Sequence, residues 1–448
     1  MAKTLQDLGQ IALHAARSAG ADAADVLVIK GSSVMIDVRE GALEQAERSE
    51  GQDMGLRVFV GQRQAVVSSS DTRPEAVRAM AERAVAMASE APDDPYVGLA
   101  DPEQLTTDAS VEALELNDPT PEPEPDALTN DALSAAAAAM AIKGITQIDG
   151  ATAGFDRTQV HLAATNGFDA GYTRSSRFIS CVAIAGTGTG MERDYDADSR
   201  TFQSDLRRAD EIGLRAGERT IQRLGARKPP TGTYPVIYDE RVSSTLIGHL
   251  LAAANGASIA RGGSWLQDAL GKAVLPAGLS LIEDPHRPRI SGSRPFDVEG
   301  LPTKRRAIVE DGVLTGWTLD LATGRKLGMT STGNATRGAS SGPSPANGNA
   351  ALTQGAQTRA DLIGGIKEGL LITSMIGSTI NPTTGDYSRG AAGFWIENGE
   401  LTYAVNECTV AGNLRDMLLR IVPANDARAH LSRVVPSILI DGMAIAGN

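Results

Sequence analysis

Metal binding and nucleophilic catalysis draw first on imidazoles and thiolates, and this chain has few: His14, His161, His249, His286 and His430, with Cys181 and Cys408. A zinc site usually takes part of its ligand set from a short local motif, such as two histidines one helical turn apart. Here the two nearest histidines, His249 and His286, are 37 residues apart. His249, on a predicted helix, therefore reads as a core or interface residue, with a ligand role as the alternative, and a zinc site built only from distant residues has no support. Residues 186–190 (Gly-Thr-Gly-Thr-Gly) have the small side chains of a phosphate loop but lack its Lys-Ser/Thr ending, so they read as a tight turn at a sheet end. Ser340, Ser341 and Ser344 lie in a Gly- and Pro-rich stretch without a Gly-x-Ser-x-Gly elbow, which reads as flexible loop. Lys304, Arg305 and Arg306 read as a solvated face. On the residues alone, no catalytic constellation is visible.

The elements that must position these side chains follow from patterning. With 448 residues, of which 42% are hydrophobic, the chain can fill a sizeable core. The net charge of −13 argues against a nucleic-acid partner, and it is local: twelve acids and no Lys or Arg lie between Asp93 and Ile142. Two distant cysteines suggest no disulfide framework. No apolar run suits a signal peptide or a membrane span. The expectation is a cytoplasmic, soluble protein.

Thr4 as N-cap, Asp7 three residues on, and Leu5, Leu8, Ile11, Ala12 and Ala15 at helical spacing predict an opening helix that stops at Gly20. Alternation predicts strands over 25–30 and 33–39 turning about Gly31, then over 56–60 and 65–68 turning at Gly61-Gln62. Pro74 at a first helical position starts a second amphipathic helix. The prolines between Asn117 and Asp126 favour an extended surface loop. Beyond it come a helix over 126–143, a hairpin through Asn166-Gly167, a separate strand over 176–186 and a charged helix over 205–225. Pro and Gly within 225–233 mark a domain boundary. A strand over 234–238, a helix over 240–255, and hairpins at Asp311-Gly312 and Asn398-Gly399 lie among Gly-rich loops in the second half. The expected fold is α+β in two domains: 1–225, an antiparallel sheet with helices, and 226–448, mainly antiparallel β with a few helices.

Two C-terminal segments are more specific. Residues 385–400 (Gly-Asp-Tyr-Ser-Arg-Gly-Ala-Ala-Gly-Phe-Trp-Ile-Glu-Asn-Gly-Glu) and 409–417 (Thr-Val-Ala-Gly-Asn-Leu-Arg-Asp-Met) closely resemble the TldD/PmbA family, within it the PmbA (TldE) branch. Residues 296–303, 315–334 and 435–443 also look like family segments, and the N-terminal half fits more loosely.

The resemblance implies a cytoplasmic peptidase system in which a TldD-type subunit carries zinc on a His-Glu-x-x-x-His helix, with a Cys near the C-terminus as a further ligand, and pairs with a PmbA-type subunit. The helix here that looks equivalent has Ser244 and Thr245 at the His and Glu positions and keeps only the last residue, His249. Residues 428–435 contain no thiol. The resemblance thus implies a metal-free, non-catalytic chain with no cofactor of its own and zinc in a TldD-type partner. It implies an unfolded or leader-bearing peptide as substrate and leaves a homodimer open, while the charge balance and the lack of a long apolar run give the expectation of no nucleic-acid and no membrane partner. Asp386, Tyr387, Ser388 and Arg389 form a short loop-like segment with more hydrogen-bonding capacity than a turn uses, which places them at a peptide groove or subunit interface. Internal loop bracing is the alternative for that segment. A self-sufficient hydrolase with a cryptic site and a non-enzymatic regulatory binding protein are the other function classes.

Overall fold

In the computed structural model, which describes residues 3–447, the predicted capping box opens the chain: Asp7 N donates to Thr4 Oγ1 at 3.1 Å and Thr4 N donates to Asp7 Oδ2 at 2.9 Å. The first half then runs α1 (Leu5–Ser18), β1 (Ala23–Arg39), β2 (Ala42–Val60), β3 (Arg63–Ser69), α2 (Pro74–Glu90) and α3 (Pro125–Met140). It continues with β4 (Ile145–Ala164), β5 (Asp169–Ala185), β6 (Glu192–Arg200) and α4 (Ala209–Gln222). The six strands form one antiparallel sheet in the order β3-β2-β1-β4-β5-β6. Val26, Val28, Val34, Ile36 and Val38 of β1 share one face by their even spacing, and all four helices cover that face. Leu27 points the other way, into a cluster with Leu162, Phe168 and Phe296 that joins the sheet to the second half.

Three expectations change. Gly31 is not a turn: β1 is one 17-residue strand through it, with Gly31 opposite Gly51 and Thr158, and the chain reverses at Glu40 and Gly41, both with positive φ. The hairpin strand after Asn166-Gly167 and the separate strand over 176–186 are likewise one strand, β5. β6 was not predicted because its inward positions are Asp194, Asp196 and Asp198, an inversion of the usual apolar-in pattern. These aspartates are buried against Arg207, Arg219, Arg223 and Arg241, which supply the charge that makes their burial tolerable.

The second half opens with β7 (Gly232–Tyr238), α5 (Glu240–Ala253) and α6 (Gly256–Ala260), followed by β8 (Leu281–Glu283), β9 (Arg306–Glu310), β10 (Val313–Leu314) and α7 (Leu321–Leu327). Then come β11 (Ala335–Thr336), β12 (Ser344–Pro345), β13 (Ala350–Leu352), α8 (Arg359–Gly364), β14 (Glu368–Ile380), β15 (Asp386–Glu397) and β16 (Glu400–Asn413). The chain finishes with α9 (Leu414–Leu418), β17 (Val422–Pro423), β18 (Arg433–Val434) and β19 (Ile438–Ala446). A six-stranded sheet has the order β16-β15-β14-β7-β19-β17, and β16 also pairs with β19. Its pairings are antiparallel except β14 with β7. A smaller sheet runs β10-β9-β8-β13-β18. Both predicted hairpins form, with Asp311-Gly312 and Asn398-Gly399 at positive φ as a type I′ turn requires. The α+β class is as expected.

The two halves are fastened by arginines. Arg174 donates to the carbonyls of Ser291 and Ser293 at 2.7 and 2.8 Å, and Arg325 to that of Leu99 at 2.7 Å. The Ser-rich loop is held at its near end, because Arg337 reaches Asp25 of β1. Where helices meet, close approach depends on Gly213 of α4: a Cβ there would lie 1.9 Å from the Ala135 carbonyl oxygen of α3. Gly213→Ala is expected to cost about 2–3 kcal/mol, measured as a shift in urea midpoint at constant slope.

Candidate functional site

α5 begins where β7 ends. Asp239 caps the helix by accepting from Arg241 N at 3.1 Å, and Arg428 pairs with Glu240 at 2.6 Å, so the first turn is held on two sides. Ser243, Leu246, Ile247, Leu250 and Leu251 form the buried stripe that seats α5 on the C-terminal sheet. His249 lies at the border of that stripe, half-buried.

The sheet presents Tyr238, the last residue of β7, and Tyr387 of β15 to this helix. The His249 and Tyr387 rings meet edge to face with centroids 6.0 Å apart. Tyr238 Oη donates to Tyr387 Oη at 3.3 Å, and Tyr387 Oη donates to Met375 Sδ at 3.7 Å. Burial raises both phenols above the ordinary tyrosine range, Tyr238 far above it, so both stay protonated.

The segment 386–389 is the start of a strand rather than a loop, since every residue from Asp386 to Arg389 pairs with β16. Strand alternation then divides it. Tyr387 and Arg389 share the face of Ala391, which packs in the main core with α5, while Asp386 and Ser388 face the other side. Asp386 accepts from Thr384 Oγ1 at 2.7 Å and Asn413 Nδ2 at 3.0 Å, bonds that brace the turn and hold its carboxyl below the usual range. Arg389 Nε donates to the Gly377 carbonyl at 2.7 Å, at a bulge in β14 where Gly377 has φ +68°.

As a zinc-binding set, the residues on α5 do not fit. Thr245 spends its hydroxyl on the Val242 carbonyl at 2.7 Å, Ser244 is half-buried without a carboxylate or imidazole beside it in sequence, and a lone His249 offers one ligand where a catalytic site needs three. His249 Nε2 is buried without a partner, at a cost of about 1–3 kcal/mol. Burial, and then the guanidiniums of Arg389 and Arg433, lower its pKa to about 4. Two cations facing an imidazole oppose a third. Cys408 is also unsuited, because its Sγ donates to the Ala391 carbonyl at 3.2 Å and burial pushes the thiol up to about 11. Among the described residues no group of three or more His, Cys, Asp or Glu is placed to hold a metal ion.

Sequence reading missed three members of this cluster. Tyr238 registered only as a strand residue. Gly248 registered as an ordinary helical position, yet a Cβ there would stand 2.7 Å from Arg433 Nη1, so the glycine makes room for that guanidinium beside His249. Arg433 had no local signal, because β18 brings it in from far along the chain.

The comparisons with known proteins agree along the length of the chain. Three family models match: PmbA/TldA metallopeptidase domain 1 over residues 24–88, the central domain over 118–224 and the C-terminal domain over 231–447. Metalloprotease PmbA of Escherichia coli is 35% identical over 446 residues, covering 99% of this chain and 96% of its own. A PmbA homologue from Haemophilus influenzae is 36% identical with the same coverage of both chains. In structure, a Bacteroides thetaiotaomicron protein described as a candidate modulator of DNA gyrase superposes with a TM-score of 0.92 at 27% identity, covering 99% of this chain and 100% of its own. TldE from Thermococcus kodakarensis shares the fold, with a TM-score of 0.83 at 20% identity over 97% and 99% of the two chains.

Proposed function

The chain belongs to the PmbA/TldD metallopeptidase family, and from that premise we propose that it is the TldE-like, metal-free subunit of a cytoplasmic peptidase, paired with a TldD-type subunit that carries the zinc. Bond cleavage then belongs to the partner, and this chain contributes surface that holds an unfolded or leader-bearing peptide. The observation that carries the reading is the setting of His249: a single imidazole, unpartnered at Nε2 and flanked by Arg389 and Arg433, with Ser244 and Thr245 in place of a ligand and a base. A retained scaffold around such a position suits a partner rather than an independent peptidase. Assembly should bury on the order of 2,000 Å² or more, as a permanent complex does.

The test mixes the purified chain with a TldD-type subunit. Elemental analysis of the isolated chain should find no stoichiometric zinc, and an unfolded peptide should be cut only by the mixture. Substituting the Glu of the partner's His-Glu-x-x-x-His helix should abolish cleavage. One tightly held zinc per isolated chain, lost on His249→Ala, or cleavage by this chain alone, would overturn the reading.

A further inference from the structure

We propose that Arg389 and Arg433, converging beside His249, form a carboxylate-binding site that takes the free C-terminal end of a peptide. The inference rests on the peptide-holding role above and gives it a chemical address.

Neither Arg389 nor Arg433 forms an ion pair with a carboxylate of the described residues, although this chain pairs most of its partly buried arginines, as at Arg57, Arg177, Arg207, Arg219, Arg241 and Arg306. Both act on His249, and Arg389 also acts on Tyr238 and Tyr387. The bulge in β14 engages Arg389 through Nε, and the guanidinium also interacts with the Tyr387 side chain, which puts it on the side of Tyr387 and His249. A guanidinium held this way offers a planar fork that matches the two oxygens of a carboxylate. Arg433 is exposed and reaches the same helix position from the rim, in the space that Gly248 leaves open.

The remaining walls favour a peptide end over a free inorganic anion. His249 is neutral at pH 7 and its buried Nε2 awaits a partner, so it can supply a neutral hydrogen bond without adding charge. Tyr238 and Tyr387, with the Met375 and Met443 thioethers packed against their hydroxyls, close the interior side, so the floor of the site is apolar. A carboxylate entering here would satisfy the orphaned imidazole and both cations together, replacing the positive charge that a zinc ion would bring to a peptide with a fixed one. The donor set that fails as a metal site is therefore consistent as an anion site.

Isothermal titration of the full isolated chain at pH 7 tests this with trialanine, its C-terminal amide and inorganic phosphate. The acid should bind, and the amide at least tenfold more weakly. Arg389→Gln and Arg433→Gln should each weaken the acid at least tenfold with unchanged circular dichroism, while Arg389→Lys should recover part of the loss. Gly248→Ala, which keeps every charge but displaces the Arg433 guanidinium, should weaken it several-fold. Equal affinity for acid and amide, unaltered affinity in the folded arginine variants, or phosphate binding more tightly than the acid would each overturn the proposal. Zinc content and cleavage by the mixed complex are separate measurements, so failure here is distinguishable from failure of the two-subunit reading.

Discussion

Asp25→Ala is expected to lower the stability of the whole chain by about 3–5 kcal/mol, read from urea denaturation. Asp25 is 2% exposed on β1 and holds two buried guanidiniums at once. Arg57 Nε donates to its Oδ2 at 2.8 Å, and Arg337 Nη2 to its Oδ1 at 2.5 Å. Burial works against both cations; the charge on Asp25 outweighs it for Arg57 but not for Arg337, whose pKa is lowered. Arg337 already has Nε and Nη1 without hydrogen-bond partners. Removing the carboxylate leaves two uncompensated charges in the interior, which is why the loss exceeds that of an ordinary cavity. Arg337→Met in the Asp25→Ala background should restore part of the stability, and the double-mutant cycle measures the coupling. Arg337 comes from the loop before β12, so this pair also ties the Gly-rich loop to the N-terminal sheet. A loss below about 1 kcal/mol for Asp25→Ala would mean that water reaches the site and screens both cations.

The second large effect is alkaline. Glu299 is buried beside Asp297, and burial, then the Asp297 charge, raises its pKa to about 8. Burial also raises Asp297, but three backbone amides favour its charged form: Glu299 N at 2.9 Å, Leu301 N at 3.0 Å and Ala335 N at 3.0 Å. Glu299 is therefore the group that keeps the proton near neutrality. The folded state then binds more protons than the unfolded state from about pH 4.5 to about pH 8, so stability falls as pH rises through that window and levels off above it. The full contribution is present below about pH 4.5. Glu299→Gln, which keeps the shape of the neutral acid, should remove the decline and leave the variant more stable than the parent above pH 8, by on the order of 2 kcal/mol. Parallel curves for parent and variant from pH 5 to 9 would place the proton elsewhere. His249 acts in the opposite sense: with a folded pKa of about 4, it makes stability fall as pH drops from about 6.5 toward 4.

How much of this was legible in the sequence depends on the range of the interaction. Short-range chemistry was readable. Thr4 and Asp7 close a capping box within one turn, and Gly167, Asp311-Gly312 and Asn398-Gly399 adopt the positive φ values that only a few residue types accept cheaply. The motifs of residues 385–400 and 409–417 identified the family. That Ser244 and Thr245, and not a His and a Glu, precede His249 on its helix was visible for the same reason, because all three lie on one helix. What failed was the reading of polarity. β6 is rich in charge, and a residue's charge does not reveal whether an arginine from another element will neutralise it in the interior.

Local chemistry sufficed for the opening capping box, for the turns at Asp311-Gly312 and Asn398-Gly399, and for the family. The tertiary structure alone decided that Tyr387 and Arg389 face α5 while Asp386 and Ser388 do not, that Arg433 lies over Gly248, and that Asp25 serves two arginines. Each of these depends on strand parity or on contacts between residues far apart in the chain. Such contacts are set by the register of whole sheets, which the local propensities of single residues do not encode.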